Sequence, residues 1–395
     1  MVDESQAADV EMPRPSVAGD VAPMPILAAS LFLFYLVAAF GLMQASRQWP
    51  NAVLVSFSHH AVTVAQFHEI FFRYSVLGLV VVPAIFLLEV LSVGWAGSSL
   101  RALCRRDNAS SRSDLVCFVL VHLRAMRPLQ ILLTFGFALV SGELVRATIG
   151  TWLGLPLDGA ILPPPLRYVG YFLLYTLLDY VAHRVDHSDL FWPIHRFHHA
   201  ADSFHIVTAD RGHPASAFTQ SALKVFPMIA LGVPLDVMID LGMLTVAINY
   251  LNHSRIDWDF GWFGRHVIQS PRHHRLHHAY GMREACNLSL CPLWDRLGRT
   301  WRDPPQGAIE IGTTEPYRHG AFIVPDLLRD YGAFLAGFGR GLRRRGSRDL
   351  AERSIDPGIG RDPVHFPALA AVVGEGLFEP AGAGRDVGDD EAHQN

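Results

Sequence analysis

The chain has 395 residues, half of them hydrophobic and only 18% charged, with a mean hydropathy of +0.22 and a formal net charge of −4. Soluble proteins average about 25% charged residues, so the deficit points to a membrane protein, and the lack of a basic excess excludes a nucleic-acid-binding field. That length allows two soluble domains or one membrane-embedded body. Residues 1–24 read as a polar leader, acidic and proline-containing, without the basic start of a signal peptide. Pro25 to Met43 carries no charge and is about the ~20 residues that hydrocarbon requires. Tyr74 to Trp95 has one acid, Glu89, for which a functional role and a helix–helix hydrogen bond are both open. A third apolar stretch runs from Pro128 to about Ser141. A fourth, Tyr168 to Tyr180, runs straight into a histidine-rich segment. Ala222 to Tyr250 is interrupted by Pro227, Pro234, Asp236 and Asp240, which predicts a helical hairpin entering the bilayer.

The fold expected is therefore all-α and integral to the membrane. About four transmembrane helices and a re-entrant hairpin are capped by a helical histidine domain. The segment between the second and third spans carries Arg101, Arg105, Arg106, Arg112, Arg124 and Arg127, and the neighbouring loops carry few basic residues. By the positive-inside rule that segment is cytoplasmic, and so are the histidines after the fourth span. The expected location is a bacterial inner membrane. The expected divisions are the leader, membrane helices and loops over 25–165, a catalytic domain over 166–303, an extension with a basic run over 304–353, and a disordered Gly-, Ala-, Pro- and Asp-rich tail over 354–395. Cys104, Cys117, Cys286 and Cys291 fit neither a zinc ribbon nor a CxxC pair and read as reduced thiols.

Histidine is the outlier, with twenty in the chain. "AHRVDHSDLFWPIHRFHHA" places five between Ala182 and Ala200. His183 and His187 are four apart, one turn of helix on one face. His195, His198 and His199 stand at i, i+3 and i+4, as do His274, His277 and His278. Asp179 lies a turn before His183 and could fix that ring's tautomer by accepting a proton. One such box could be a polar helix face, but three boxes beside membrane helices point to metal, because ligation removes both ring repulsion and the unsatisfied nitrogens. Eight box histidines are twice what one tetrahedral ion takes, so two ions with four or five imidazoles each fit better. Iron, copper, nickel and zinc all suit imidazole, and ligand type does not choose among them.

The pattern resembles the fatty acid hydroxylase/sterol desaturase superfamily over roughly Gly170 to Trp301. Beyond the boxes, "TADRGHP" from Thr208, "NHSRID" around His253, "SPRHHRLHH", Asn287 and "WDR" from Trp294 are similar to that family's elements. The resemblance implies metal ligation by His183, His187, His195, His198, His199, His253, His274, His277 and His278. His213 and His273 are weaker candidates for a further ligand or an outer role. It implies two iron ions, O2 as co-substrate, and hydroxylation or desaturation of a lipid C–H bond. No flavin, haem or ferredoxin motif is present, so an external donor, a ferredoxin or b-type cytochrome with its reductase, is expected. The other expected partners are the lipid substrate and the bilayer, with no nucleic acid. A metal transporter or storage protein, and a zinc hydrolase using the same boxes, are the competing readings. The sequence departs from the family at His205, where Asn is usual, and at Gly298–Arg299, where Phe-Gly is typical. His59, His60 and His68 read as loop surface, and His122, His266, His319, His365 and His393 have no spacing partner.

Overall fold

The computed structural model describes residues 77–105, 110–122, 136–154, 163–280, 285–314, 317–319 and 323–353, the hairpin 52–57/60–65, and scattered positions from 33 to 72. The leader, the tail and residues 128–135 of the third predicted span lie outside the described residues, as does almost all of the first span. The chain divides into two compact units, Met1–Gly341 and Leu342–Asn395, and everything argued below concerns the first.

The described structure is helical apart from one hairpin. The first loop expected from sequence forms two antiparallel strands, β1 (Ala52–Phe57) and β2 (His60–Ala65), with Ala52 opposite Ala65 and Phe57 opposite His60. Its "AVLVSF" and "HAVTVA" are rich in β-branched residues, which favour a pleated surface, and His60 is a strand residue. After a π-helical turn (Leu77–Val81) come α1 (Val82–Gly97), α2 (Ser99–Arg105) and α3 (Ser110–His122). The basic segment expected to be a loop is thus largely helical. Next are α4 (Gly136–Leu153) and α5 (Pro164–Asp186), which extends the fourth predicted span by a turn at its start and by more than a turn into the first histidine box.

α6 (Trp192–His199) carries the second box, and a 3-10 turn (Ile206–Asp210) follows it. The interrupted apolar region is a helical hairpin. α7 (Ser216–Gln220), a π-helical turn (Ser221–Val225) and α8 (Phe226–Ala230) form one arm, and α9 (Leu235–Asn252) the other. Pro234 sits just before the second arm, where its fixed φ suits a helix start. α10 (Gly261–His266), α11 (Pro271–His277) with the third box, α12 (Pro292–Leu297) and α13 (Ile323–Arg353) complete the described elements.

Two helical segments are long and apolar enough to cross a membrane, Gly78–Gly97 and Leu235–Asn252. The first covers most of the second expected span, whereas the other falls in the region expected to enter the bilayer as a hairpin, so among the described residues one of the four expected spans meets that measure. α5 is long enough, but Arg167, Asp179, Arg184 and Asp186 break its apolar run. On α1, Leu87, Leu91 and Trp95 are exposed, as is Val80 in the turn before it, while Glu89 is fully buried. That is the reverse of a helix facing water, and is the pattern of one facing lipid. Glu89 accepts hydrogen bonds from the Ser99 backbone N (2.6 Å), Ser99 Oγ (2.7 Å) and the Arg255 backbone N (2.7 Å). It therefore joins the start of α2 to the segment that follows His253, and the structural alternative for this acid holds.

Two apolar clusters brace the histidine elements. Val82, Ile85, Phe86, Phe118, Ile206, Val207 and Tyr250 tie α1 and α3 to the 3-10 turn and α9. Tyr171, Tyr175, Met228, Val233, Val237 and Leu241 tie α5 to the hairpin. The Tyr180 side chain on α5 reaches the end of α12 closely: a Cβ on Gly298 would collide with its hydroxyl. Arg299 then takes the left-handed conformation (φ 59°) that glycine favours, which accounts physically for the glycine typical at that place.

Candidate metal centre

Nine imidazoles converge in two groups. His183, His187, His195, His199 and His277 form one; His198, His253, His274 and His278 form the other. Within each group the candidate ligand atoms all lie within 4.8 Å of one another. These are the nine histidines singled out in the sequence, and helix geometry explains their division. The i,i+4 partners His183/His187, His195/His199 and His274/His278 stay in one group. Sequence neighbours lie about 100° apart around a helix, so each HH doublet divides. His198 and His199 are at 90° to each other and His277 and His278 at 88°, one ring of each pair entering each group. A doublet on α6 and a doublet on α11 thus serve two sites side by side, with His199 stacked on His278 at 4.3 Å.

The outer ring nitrogens are anchored to backbone carbonyls. Nδ1 of His183 lies 2.8 Å from Leu288 O, that of His198 3.0 Å from Arg211 O, that of His253 2.8 Å from Asn249 O, and that of His277 2.7 Å from Cys286 O. Such partners fix the tautomer and turn Nε2 inward. The inward nitrogens meet one another. Nε2 of His195 lies 3.2 Å from that of His183 and 3.1 Å from that of His199, and Nε2 of His274 lies 3.2 Å from that of His253. Both nitrogens of His187 and His278, and Nε2 of His277, are buried without a protein partner. Burial, the largest cause throughout, pushes all nine rings below the usual imidazole range, reinforced by neighbouring imidazoles for eight of them; His253 is brought down to about 4. Neutral, buried imidazoles with inward nitrogens lacking any donor fit two divalent cations.

This has a pH consequence. Metal-free protein should lose stability as pH falls below about 6.5, where the unfolded chain's histidines take up protons that the folded rings refuse. Chemical denaturation of chelated protein at pH 8 and pH 5.5 checks it; equal stability at both would contradict the buried, neutral set.

The sequence-based role of Asp179 needs correction. Its carboxylate accepts from Lys224 Nζ at 2.7 Å, and the His183 Nδ1 it was expected to meet is engaged by Leu288 O instead. The cation arrives from the hairpin, 45 residues away in sequence, which no local spacing reveals. Asp179→Asn should accordingly leave metal content near wild type, rather than the 10–100-fold weakening typical when a ligand loses its outer partner; inductively coupled plasma analysis of the purified variant checks it.

His213 and His273 stand outside both groups. His213 uses both nitrogens in the protein, Nε2 toward Leu327 O (2.9 Å) and Nδ1 accepting from the Ala215 backbone N (3.1 Å). His273 Nδ1 pairs with Ser270 Oγ at 2.7 Å, its Nε2 lies 3.6 Å from Asp303, and its ring packs on Trp301. Its backbone carbonyl accepts from Asn287 Nδ2 (3.1 Å), so it acts in holding α11.

Two acids that sequence reasoning passed over organise the frame. Asp295 is fully buried and accepts from the backbone N of Leu288 and of Ser289 (2.8 Å each) and from Thr300 Oγ1 (2.7 Å), fixing the loop whose Leu288 carbonyl orients His183. Asp114 on α3 accepts from Arg211 Nη1 (2.8 Å) and Thr208 Oγ1 (3.0 Å), with His205 Nδ1 at 3.4 Å. Arg211 Nε donates to Phe197 O at 2.6 Å, and Nη2 faces His319 Nδ1 at 3.0 Å. His205, the departure from the family's Asn, thus belongs to this buried network. His122, set aside for lack of a spacing partner, is also engaged, with Phe118 O at 2.9 Å and Tyr250 Oη at 3.3 Å. All four cysteines are free thiols, as expected.

A cavity of about 310 Å³ reaches both groups, with His183 and His195 of the first and His198 and His274 of the second in its wall.

The family model for fatty acid hydroxylases matches residues 168–300, the segment that carries all nine histidines. Over 176 residues the chain is 28% identical to the ornithine lipid hydroxylase OlsE of Rhizobium tropici, covering 43% of this chain and 49% of that protein. The chain thus spans about half the length of that relative. No solved structure matches.

Proposed function

We propose that the chain, whose residues 168–300 match the family model for fatty acid hydroxylases, is a membrane-bound oxidoreductase that hydroxylates a C–H bond of a lipid, with its nine histidines holding two iron ions. One observation carries the reading: two groups of imidazoles, five and four, six of the rings buried and three half-buried, stand side by side and open on one cavity. A transporter site lies near the bilayer midplane between broken helices, whereas these rings come from helix ends and the turns that follow.

Two ferrous ions bound by these nine histidines would support hydroxylation by O2, in which R–H, O2, two protons and two external electrons become R–OH and water, the other two electrons coming from the C–H bond. The protein's own part is positional. The carbonyls of Leu288, Arg211, Asn249 and Cys286 aim the rings, and the clusters around Tyr250 and Tyr175 set the helices that bear them. The lipid enters from the bilayer beside α1 and α9, and the electron donor, a ferredoxin or b-type cytochrome, meets the cytoplasmic side beside the arginines of α2 and α3. Hydroxylation is preferred to desaturation because the relative is named a hydroxylase.

Metal analysis of iron-supplemented, detergent-purified protein should give about two irons per chain. Incubation with a lipid extract, O2 and a reduced ferredoxin should add one oxygen atom to a lipid. Product formation without oxygen or reductant would point instead to hydrolysis, and metal uptake into liposomes to transport; either result would overturn the reading.

A further inference from the structure

The last described helix is turned inside out. On α13, Val324, Leu328, Tyr331, Leu335 and Phe338 are between 42% and 65% exposed, whereas Asp326 and Asp330 are 2% and 0% exposed. The inner side is fixed by named contacts. Asp330 accepts from Arg196 Nη2 on α6 at 2.9 Å and from Tyr317 Oη at 2.5 Å. Ile323 packs with Phe197 of α6 and Cys117 of α3, the Leu327 carbonyl accepts from His213 Nε2, and Phe334 meets Phe191 at 5.4 Å. The helix is therefore not rotated by loose packing; its apolar residues are outward because its polar ones are engaged.

The outward residues are spaced four, three, four and three apart, which makes one stripe along the helix. A second helix or lipid could cover it. The residues argue against a second helix. In that register Val324, Tyr331 and Phe338 stand where a two-stranded coil takes leucine, and Leu327, Gly332, Phe334 and Gly339 occupy the flanking positions where charges choose the partner. A path across the bilayer is excluded by length, since Val324 to Phe338 rises about 21 Å against about 30 Å of hydrocarbon. Arginines then follow the stripe in sequence: Arg340, Arg343, Arg344, Arg345 and Arg348, with Asp349 the first acid after Asp330. A stripe of Leu, Phe and Tyr joined to clustered arginine is the composition of a helix lying in the plane of an anionic bilayer surface.

We propose that α13 lies in the interface of a bilayer containing anionic lipid, with its stripe at the boundary of headgroups and acyl chains and the arginines that follow drawing it to the headgroups. Through Arg196 and Phe197 it holds α6, the helix of the second histidine box, beside that surface. The inference rests on the membrane-bound reading and not on the hydroxylase chemistry.

Full-length Cys104→Ser protein, whose other three cysteines are buried, is given a single nitroxide at Leu328→Cys or Leu335→Cys and reconstituted into vesicles of phosphatidylglycerol and phosphatidylcholine. Power-saturation electron paramagnetic resonance compares the access of oxygen, which dissolves in the bilayer, with that of a nickel chelate, which stays in water. At both positions oxygen should relax the label and the chelate should not. In phosphatidylcholine alone, chelate access should rise by about fivefold, the weight of one arginine at an anionic surface. Leu328→Glu in the Leu335→Cys protein should give a similar rise. Equal chelate access in the two kinds of vesicle overturns the anionic seat. A label shielded from both reagents, with a second label close by in double electron–electron resonance, overturns it in favour of a second copy of the chain. Protein that alkaline carbonate strips from the vesicles contradicts the membrane-bound reading itself, whereas inserted protein with a water-facing label contradicts this inference alone.

Discussion

His278→Ala should strip iron from the group of four, and His277→Ala should weaken the group of five less. Removal of His278 leaves His198, His253 and His274, three ligands, whereas removal of His277 leaves four. Three imidazoles are the fewest protein ligands usual for a catalytic metal and hold it less firmly than four, so the group left with three should lose its ion on purification while the group left with four keeps most of it. About one iron per chain is expected for His278→Ala, and between one and two for His277→Ala. Turnover should not follow that ranking. Both rings border the plane where the groups meet, with the two residues adjacent in sequence and their rings 5.0 Å apart. If O2 is reduced by both ions together, either loss should lower hydroxylation by more than about 100-fold, beyond the usual cost of losing an outer partner. Atomic emission and a lipid-hydroxylation assay on the same preparations read both quantities, with membrane insertion as the control. Full iron and full turnover in both variants would refute the ligand assignment; full turnover with half the iron would refute the joint role.

The metal ligands were legible in the sequence because each box is local. A helix converts i,i+4 spacing into one face, and a doublet into two directions, without help from the rest of the fold. His253 has no such spacing and was found only through a family element. What was not legible depends on pairs far apart in the chain. Asp179 stands where a local rule places a histidine's partner, but Lys224 reaches it from the hairpin. Asp114 lies in an arginine-containing stretch that reads as a surface loop, yet it is fully buried because Arg211 arrives 97 residues later to neutralise it. The break between the two arms was legible from Pro227 and Pro234, whereas Asp236 and Asp240 lie inside an arm that is itself long and apolar enough to span. The β-hairpin was not, since short alternating Val and Ala beside apolar spans carry the composition of a membrane loop.

Arg211→Leu tests the largest structural effect. The guanidinium is fully buried, donates to Asp114 Oδ1 and Phe197 O, and faces the Phe197 ring at 4.6 Å. Burial alone would raise the Asp114 carboxyl, but the His205 hydrogen bond and the Arg211 charge outweigh it and hold the group below the usual carboxylate range. Losing the arginine leaves the buried carboxylate without its full positive charge, with only Thr208 and His205 beside it, and breaking a buried ion pair typically costs about 3–5 kcal/mol. The damage should reach the metal, because the Arg211 carbonyl orients His198 and the carbonyl of Phe197 sits beside it in the second box. Iron should therefore be lost from the group of four in preference to the group of five. The sign with pH distinguishes this from general damage. In wild type the depressed carboxyl contributes stability that is complete above its unfolded value of about 3.9 and lost as pH falls through the lower folded value. Without Arg211 burial is opposed chiefly by His205, so the folded group titrates higher than in wild type, acidification relieves the variant, and its deficit relative to wild type should shrink from pH 8 to pH 5. Adding Asp114→Asn to Arg211→Leu should recover part of the deficit at pH 8, since it removes the unpaired charge. Denaturation of the three proteins at both pH values, with iron counted in each, decides the matter: a deficit independent of pH and untouched by the second substitution would mean that Arg211 acts through packing alone.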